Sequence, residues 1–148
     1  MTWNLSLLSR THSQSGIKMR EIKFRAWHKE NKSMVYFDPQ VLKRDQYQGA
    51  HLAALMCGDH GDVLMQYTGL KDKNGKGIYE GDIVKSIAQS NDHSQRGAVT
   101  IGRVYFSTGS FKIAPDNFET GTKLFDVLLI NSVEIIGNIH DNPELLNG

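Results

Sequence analysis

The apolar residues of this chain recur at every second position in several short runs, which is typical of half-buried β-strands. From residue 21 to residue 27, apolar side chains alternate with charged ones. The polar residues 28–33 predict a turn, and Met34–Phe37 predicts a second strand that stops at Asp38-Pro39. We therefore predict a β-hairpin at the start of the patterned part of the chain.

The most regular part of the sequence is the block Leu64–Val84. Val63–Thr68 predicts a strand, and Ile78–Val84 resumes the extended pattern. Asn74-Gly75 lies between them, and an Asn-Gly pair accepts positive φ at both central positions of a tight turn. The block therefore predicts two strands joined by a tight hairpin.

The second half of the chain predicts further strands at residues 98–106, 111–114 and 133–139. Asn142-Pro143-Glu144 then places a capping side chain, a proline suited to the first helical position and an acidic residue in order, which predicts a short terminal helix. Residues 51–57 suit one or two helical turns, and residues 89–96 suit a loop. Residues 124–130 fit either a strand or a short helix.

Together these elements predict a mostly-β fold with an N-terminal β-hairpin region, a small SH3-like barrel and a short C-terminal helix. The barrel is an analogy based on strand order. Residues 1–18 are expected to form a disordered tail or an upstream extension. Residues 19–62 are expected to form an N-terminal β region with an irregular insert, and residues 63–148 a barrel-like β domain.

Charge is balanced over the whole chain but uneven along it. The net charge is +1, so no global field draws the protein to DNA or to an anionic membrane. Residues 18–32 carry six basic side chains, whereas residues 116–148 carry six acidic ones and a single lysine. Either the two ends lie close together and neutralise each other, or they favour head-to-tail pairing of copies or an acidic partner.

The cysteine content and the hydropathy of the chain indicate the cellular compartment in which it is expected to lie. Cys57 is the only cysteine, so no internal disulfide can form, which favours a reducing, cytoplasmic setting. No apolar run approaches the roughly 20 residues that a membrane-spanning helix needs. We therefore expect no membrane association.

Motifs for phosphate and calcium loops do not fit the central block. Five residues separate Gly69 from Gly75 and a glycine follows Lys76, whereas a phosphate loop needs four residues and then Ser or Thr after the lysine. Leu70 and Gly81 would fall where a calcium loop needs carboxylates. We therefore expect no cofactor here.

Metal-binding and catalytic patterns are equally weak. His51, Cys57, Asp59 and His60 are the only metal-like cluster, and without paired cysteine spacing they favour a solvated loop over a zinc site. The sequence has no nucleophile elbow. Glu80 and Asp82 point to the same face of a strand, and a solvated strand edge explains this pair better than a catalytic cleft. We therefore predict no metal, no catalytic residue and no enzymatic activity.

Basic and aromatic residues on one face are the pattern of a nucleic-acid-binding surface. Lys23, Arg25 and Trp27 share a strand face by their period of two. Three more lysines lie on the predicted hairpin: Lys71, Lys73 and Lys76. These six are the candidate binding residues. The alternative is that Trp27 packs against its neighbours while the charged side chains stay solvated.

Three sequence segments resemble the YopX family of small bacteriophage and prophage proteins. They are Met19–Trp27, the central block from Leu64 through Gly75 to Ile78–Val84, and Val133–Ile139 followed by Asn142–Leu145. The resemblance implies a phage or prophage origin and a mostly-β fold, and supplies no catalytic residue. The family usually has an acidic residue after Ala-Trp and often an aromatic one after Gly-Asn-Ile, where this chain has His28 and His140.

These observations favour a non-enzymatic phage accessory protein of the bacterial host cytoplasm that acts by binding. Its partner would be another protein or further copies of itself as a homo-oligomer. The alternative is a nucleic-acid-binding module that uses the basic N-terminal strand.

Overall fold

The computed structural model describes residues 21–37, 50, 54, 61–88, 97–115, 122–123 and 131–147. This part of the chain is mostly β, with one 3₁₀ turn near its C-terminus, which confirms the predicted fold class. The elements are β1 (Phe24–His28), β2 (Ser33–Phe37), β3 (Val63–Lys71), β4 (Gly77–Tyr79), β5 (Asp82–Ala88), β6 (Val99–Ser107), β7 (Ser110–Ala114), β8 (Thr122–Lys123), β9 (Asn131–Asn138) and the 3₁₀ helix η1 (Pro143–Leu146).

The first sheet has four antiparallel strands in the order β2-β1-β3-β4. β1 and β2 pair from Phe24 opposite Phe37 to His28 opposite Ser33, which confirms the predicted N-terminal hairpin. β3 pairs with the other side of β1, so it extends the sheet that this hairpin begins. The division into domains at residue 62 stays a prediction.

The second sheet has five antiparallel strands in the order β8-β7-β6-β5-β9 and curls into half a barrel. Its core contains aliphatic side chains with almost no solvent exposure: Ile78, Val84, Val104, Ile113 and Val133. Burial of each contributes about 1.5–3 kcal/mol before the entropy cost of ordering it. Ile78 belongs to β4, so the first sheet contributes to the core of the second. The SH3-like connectivity stays a prediction.

The loop between β3 and β4 joins the two sheets. One carboxylate oxygen of Asp72 accepts the N–H groups of Asn74 and Lys76, each at 2.9 Å. The other accepts the N–H of Ile135 on β9 at 3.2 Å, and the N–H of Lys73 donates to the Val133 carbonyl at 2.8 Å. The hairpin prediction is confirmed, but positive φ occurs at Gly75 and not at Asn74. An Asx-type loop therefore replaces the expected tight turn.

The C-terminal helix is a single 3₁₀ turn that begins at Pro143. The Asn142 side chain makes no capping hydrogen bond, contrary to the prediction. It lies against Gly137 instead, where a Cβ atom would be 2.6 Å from the Asn142 Oδ1 atom. The close packing of β9 against this segment thus depends on a glycine.

Several predictions fall on segments outside the described residues: the tail at 1–18, the helical turns near 51–57 apart from Ala54, which is helical, the loop at 89–96 and the segment 124–130. These stay predictions. Within the ranges that the structure covers, no helix has the length and apolar character to cross a membrane.

Candidate functional site

A pocket of about 320 Å³ lies on one face of the first sheet. All four strands contribute to it, together with the segment before β1 and the β3–β4 loop. We call it the tyrosine–lysine pocket, and it is lined by Glu21, Lys23, Arg25, Tyr36, Tyr67, Lys71, Lys76, Gly77 and Tyr79.

Strand register brings three tyrosine rings together in this pocket. Tyr67 lies opposite Tyr79 in the β3–β4 pair, and their ring centroids are 5.3 Å apart at a 44° interplanar angle. Tyr36 approaches Tyr79 edge-on, with 5.9 Å between centroids. Tyr36 is 58% exposed, whereas Tyr67 is buried. The pocket therefore presents one solvent-facing ring in front of two inner ones.

The inner phenols are neutral. Burial raises the pKa of Tyr67 and the pKa of Tyr79, and nearby cations oppose the shift only in part. Both side chains therefore keep their O–H hydrogen-bond donors at physiological pH.

Four cationic side chains line the pocket against a single carboxylate. Lys23 forms an ion pair with Glu21 at 2.9 Å, and this hydrogen bond raises the pKa of Lys23. Within the described ranges, neither Lys71 nor Lys76 forms an ion pair. These two lysines therefore leave positive charge available to a ligand.

Arg25 supports the pocket from the interior. Its Nη2 atom lies 2.7 Å from Asp82 Oδ1 and donates to the Glu80 carbonyl at 2.9 Å. Its guanidinium carbon lies 4.9 Å from the centroid of the Tyr79 ring. The other Asp82 oxygen accepts the Tyr79 N–H at 2.8 Å. The Arg25–Asp82 pair thus holds both the ring and the backbone of Tyr79.

The predicted solvated edge at Glu80 and Asp82 is wrong. Asp82 is only 2% exposed because it pairs with Arg25 inside the fold, and burial raises the pKa of its carboxyl group against the opposing effect of Arg25. Glu80 accepts the Gln66 N–H at 2.9 Å. Both carboxylates therefore make structural hydrogen bonds with the first sheet.

Four of the six candidate binding residues line the pocket: Lys23, Arg25, Lys71 and Lys76. The three tyrosines were not among the binding residues predicted from the sequence. Tyr67 and Tyr79 occur on either side of the predicted hairpin, so pairing the two strands would have placed them opposite each other. Tyr36 could be found only from the register of β1 with β2, where it lies opposite Arg25.

The other two candidates lie outside the pocket lining. Trp27 is 8% exposed and stacks on His140, with 5.1 Å between ring centroids and a 7° interplanar angle. Lys73 forms an ion pair with Glu134 on β9 at 2.6 Å. Both side chains therefore bridge the first sheet to the chain at or after β9.

The predicted metal-like cluster at His51, Cys57, Asp59 and His60 lies outside the described residues. Over the ranges that the structure covers, no group of three or more His, Cys, Asp or Glu side chains is arranged to hold a metal ion.

A family model described as YopX protein matches residues 23–147 of the chain. Among solved structures, protein EF1440 from Enterococcus faecalis is 24% identical with a TM-score of 0.53, covering 86% of this chain and 99% of its own. Protein yopX from Bacillus subtilis is 18% identical with a TM-score of 0.49, covering 86% of this chain and 98% of its own. At 24% identity the likeness to EF1440 is one of fold. No curated protein matches the sequence.

Proposed function

Because the chain belongs to the YopX family, as its sequence motifs predicted, we propose that it is a phage or prophage accessory protein that acts by binding an anionic partner. It would act in the cytoplasm of the bacterial host, and the tyrosine–lysine pocket would be its binding site.

One observation carries this proposal: Lys71 and Lys76 line a concave site and form no ion pair in the described part of the chain, although the charge of Lys76 acts on the carboxylate of the buried Asp82. The whole chain has a net charge of only +1. The excess of cations in the pocket is therefore local, and such a cluster in a concave site focuses the field on an anion. The volume of about 320 Å³ is within the range of ligand-binding sites.

The character of the pocket lining favours binding over catalysis. Its nine residues include no Ser, Cys or His, and its one carboxylate is paired with Lys23. The raised pKa of Tyr67 and the raised pKa of Tyr79 make both phenols poor bases and poor nucleophiles at neutral pH. These features support recognition by charge, hydrogen bonding and ring contact.

The proposal is tested by fluorescence polarisation with four labelled anionic probes: single-stranded DNA, single-stranded RNA, duplex DNA and a polyglutamate peptide. The pocket variant is Lys71→Glu/Lys76→Glu. The matched control is Lys29→Glu/Lys32→Glu, which makes the same charge change at exposed positions of the β1–β2 turn.

We expect at least one probe to bind the wild type and the control equally, and to bind the pocket variant at least about tenfold more weakly, a loss of about 1.4 kcal/mol. Equal loss in the pocket and control variants would show a general charge effect and overturn the proposed site. Failure of all four probes at low salt would overturn an anionic polymer as the partner.

A further inference from the structure

We infer that the anionic partner is a nucleoside phosphate, whose base lies against the tyrosine rings while its phosphate is bound by Lys71 and Lys76. The source would be either a free nucleotide or one unit of a single strand. This inference rests on the proposed function and adds the chemical class of the ligand.

The tyrosine rings supply the contact for the base. Tyr36 is more than half exposed and meets Tyr79 through an edge contact, which leaves ring surface open to the solvent. A base that stacks on an aromatic side chain gains about 1–3 kcal/mol, whatever its identity. The neutral phenols can also donate hydrogen bonds to the edge of a base.

The two unpaired lysines supply the contact for the phosphate. Lys71 lies opposite Gly77 in the β3–β4 register, Lys76 directly precedes Gly77, and both lysines line the pocket. A phosphate that enters the pocket is attracted by both ammonium groups. Lysine binds phosphate as a point charge without fixed geometry.

Gly77 keeps the space between these contacts open. A Cβ atom at this position would lie 2.9 Å from Cε2 of Tyr67 and 3.6 Å from Cε2 of Tyr79. A side chain here would therefore displace the Tyr67 ring. The bare backbone lets the inner rings and the lysines line one continuous cavity.

The size and charge of the pocket indicate one or a few nucleotides. The volume of about 320 Å³ is at the lower end of small-molecule sites. Other cations near the pocket are already paired: Lys23 with Glu21, Arg25 with Asp82, and Lys73 with Glu134. If two lysines each release one counterion from a strand, log Kd rises by about 1.4 for each tenfold rise in salt.

An acidic peptide would use the lysines but has no planar base for the tyrosines. The two ligand classes therefore differ in their response to Tyr36. Tyr36→Leu removes the exposed ring, and Tyr36→Phe keeps the ring without its hydroxyl. Because Tyr36 is mostly exposed, both variants are expected to fold, and thermal unfolding checks this.

The test is a titration of wild type, Tyr36→Leu, Tyr36→Phe, Lys71→Glu/Lys76→Glu and the β1–β2 turn control by calorimetry. The probes are the nucleoside 5′-monophosphates, the matching nucleosides, inorganic phosphate, 12-mer single strands and a polyglutamate peptide. We expect monophosphates or single strands to bind about tenfold or more tightly than nucleoside or phosphate alone, since stacking and charge add.

Tyr36→Leu is expected to weaken nucleotide binding about fivefold or more while Tyr36→Phe restores it. A 12-mer that binds at least tenfold more tightly per nucleotide than the monophosphate identifies a strand as the source, and equal affinity per nucleotide identifies a free nucleotide. Lysine-dependent binding of polyglutamate without nucleotide binding would overturn this inference and leave the proposed function standing. Failure of every anion would overturn both.

Discussion

At the scale of single residues, the most consequential contact is the buried pair of Arg25 and Asp82 at 2.7 Å. Both side chains are almost completely buried, so neither charge has water to replace its partner. The pair supports Tyr79 as well, because Asp82 accepts the Tyr79 N–H and Arg25 lies near the Tyr79 ring. Stability and pocket shape therefore depend on the same two residues.

Removal of one partner of this pair should be costly. We expect Arg25→Met to lower the free energy of unfolding by about 3–5 kcal/mol, because an unpaired carboxylate remains inside the fold. The double variant Arg25→Met/Asp82→Leu should recover part of that loss. Urea denaturation of both variants measures the difference, and a single-variant loss below about 1 kcal/mol would contradict a structural role for the pair.

His140 is expected to make the stability of the folded protein depend on pH. Its Nε2 atom is buried with no hydrogen-bond partner in the described part of the chain, and its ring stacks on Trp27. Burial lowers the pKa of His140, and the charges of Arg25 and Lys29 lower it further, against the opposing effect of Asp141. The protonated form is therefore disfavoured in the folded protein.

A lowered pKa in the folded state means that the unfolded chain takes up the proton first as pH falls. The stability that His140 contributes is complete above about pH 6.5 and is lost as pH falls from there through the folded-state pKa. His140→Phe keeps a ring for Trp27 but cannot titrate. We expect urea midpoints at pH 7, 6 and 5 to fall less steeply for this variant than for the wild type.

At the scale of elements, the β3–β4 loop is fixed by one carboxylate. Burial alone would raise the pKa of Asp72, but the N–H groups of Lys76, Ile135 and Asn74 together lower the pKa of this carboxyl group. The loop carries Lys76 and joins the first sheet to β9. Asp72 therefore positions a residue of the pocket lining as well as connecting two elements.

Asp72→Ala should lower the free energy of unfolding by about 3 kcal/mol, since three N–H groups lose a charged acceptor. Lys73→Ala is the matched control in the same loop. It removes a partly exposed ion pair with Glu134 that solvent screens, so we expect a much smaller loss than for Asp72→Ala. Thermal or urea unfolding compares the two, and equal losses would contradict the role given to Asp72.

Protonation of the Asp72 carboxylate should make the stability of the folded protein sensitive to acid. Because the folded-state pKa of Asp72 is lowered, its contribution is present above the ordinary pKa of about 3.9 and is lost as pH falls further. Wild type should therefore lose stability below about pH 4 more steeply than Asp72→Asn, which cannot titrate. Parallel pH profiles of the two proteins would contradict this.

At the scale of the whole molecule, the two sheets share structure at several points. Ile78 of the first sheet lies in the core of the second. The N–H of Gly81 donates a hydrogen bond to the Val104 carbonyl, and the Gly81 carbonyl accepts one from the N–H of Ile139. The Trp27–His140 stack adds a third connection. We therefore expect the sheets to unfold together despite their separate hydrogen-bond networks.

A variant in one sheet tests this expectation through a probe in the other. Trp3→Phe leaves Trp27 as the sole tryptophan and a reporter on the first sheet. Adding Ile113→Ala, in the core of the second sheet, should cost about 2–5 kcal/mol and shift the Trp27 fluorescence transition by the full amount. Two separate transitions would show that the sheets are independent.

The sequence predicted the strands well because their patterns are local. The hairpin of β1 and β2 and the strands near residues 99–114 followed from alternation and turn residues. Such local patterns do not predict contacts between residues that are far apart in the sequence. Asp72 lies within the hairpin that the sequence predicts, but its hydrogen bond with the N–H of Ile135, 63 positions away, depends on how the sheets pack. Trp27 does not line the pocket with Lys23 and Arg25, because its ring stacks on His140 instead.

Every residue that lines the tyrosine–lysine pocket belongs to the first sheet or its adjoining segments. The β6–β7 turn, by contrast, lies on the second sheet and exposes Thr108 and Gly109 to solvent. A chemical handle at that turn would anchor the protein to a solid support without modifying any lining residue. The immobilised protein would then serve as an affinity matrix to test which molecules in bacterial cell extracts it retains.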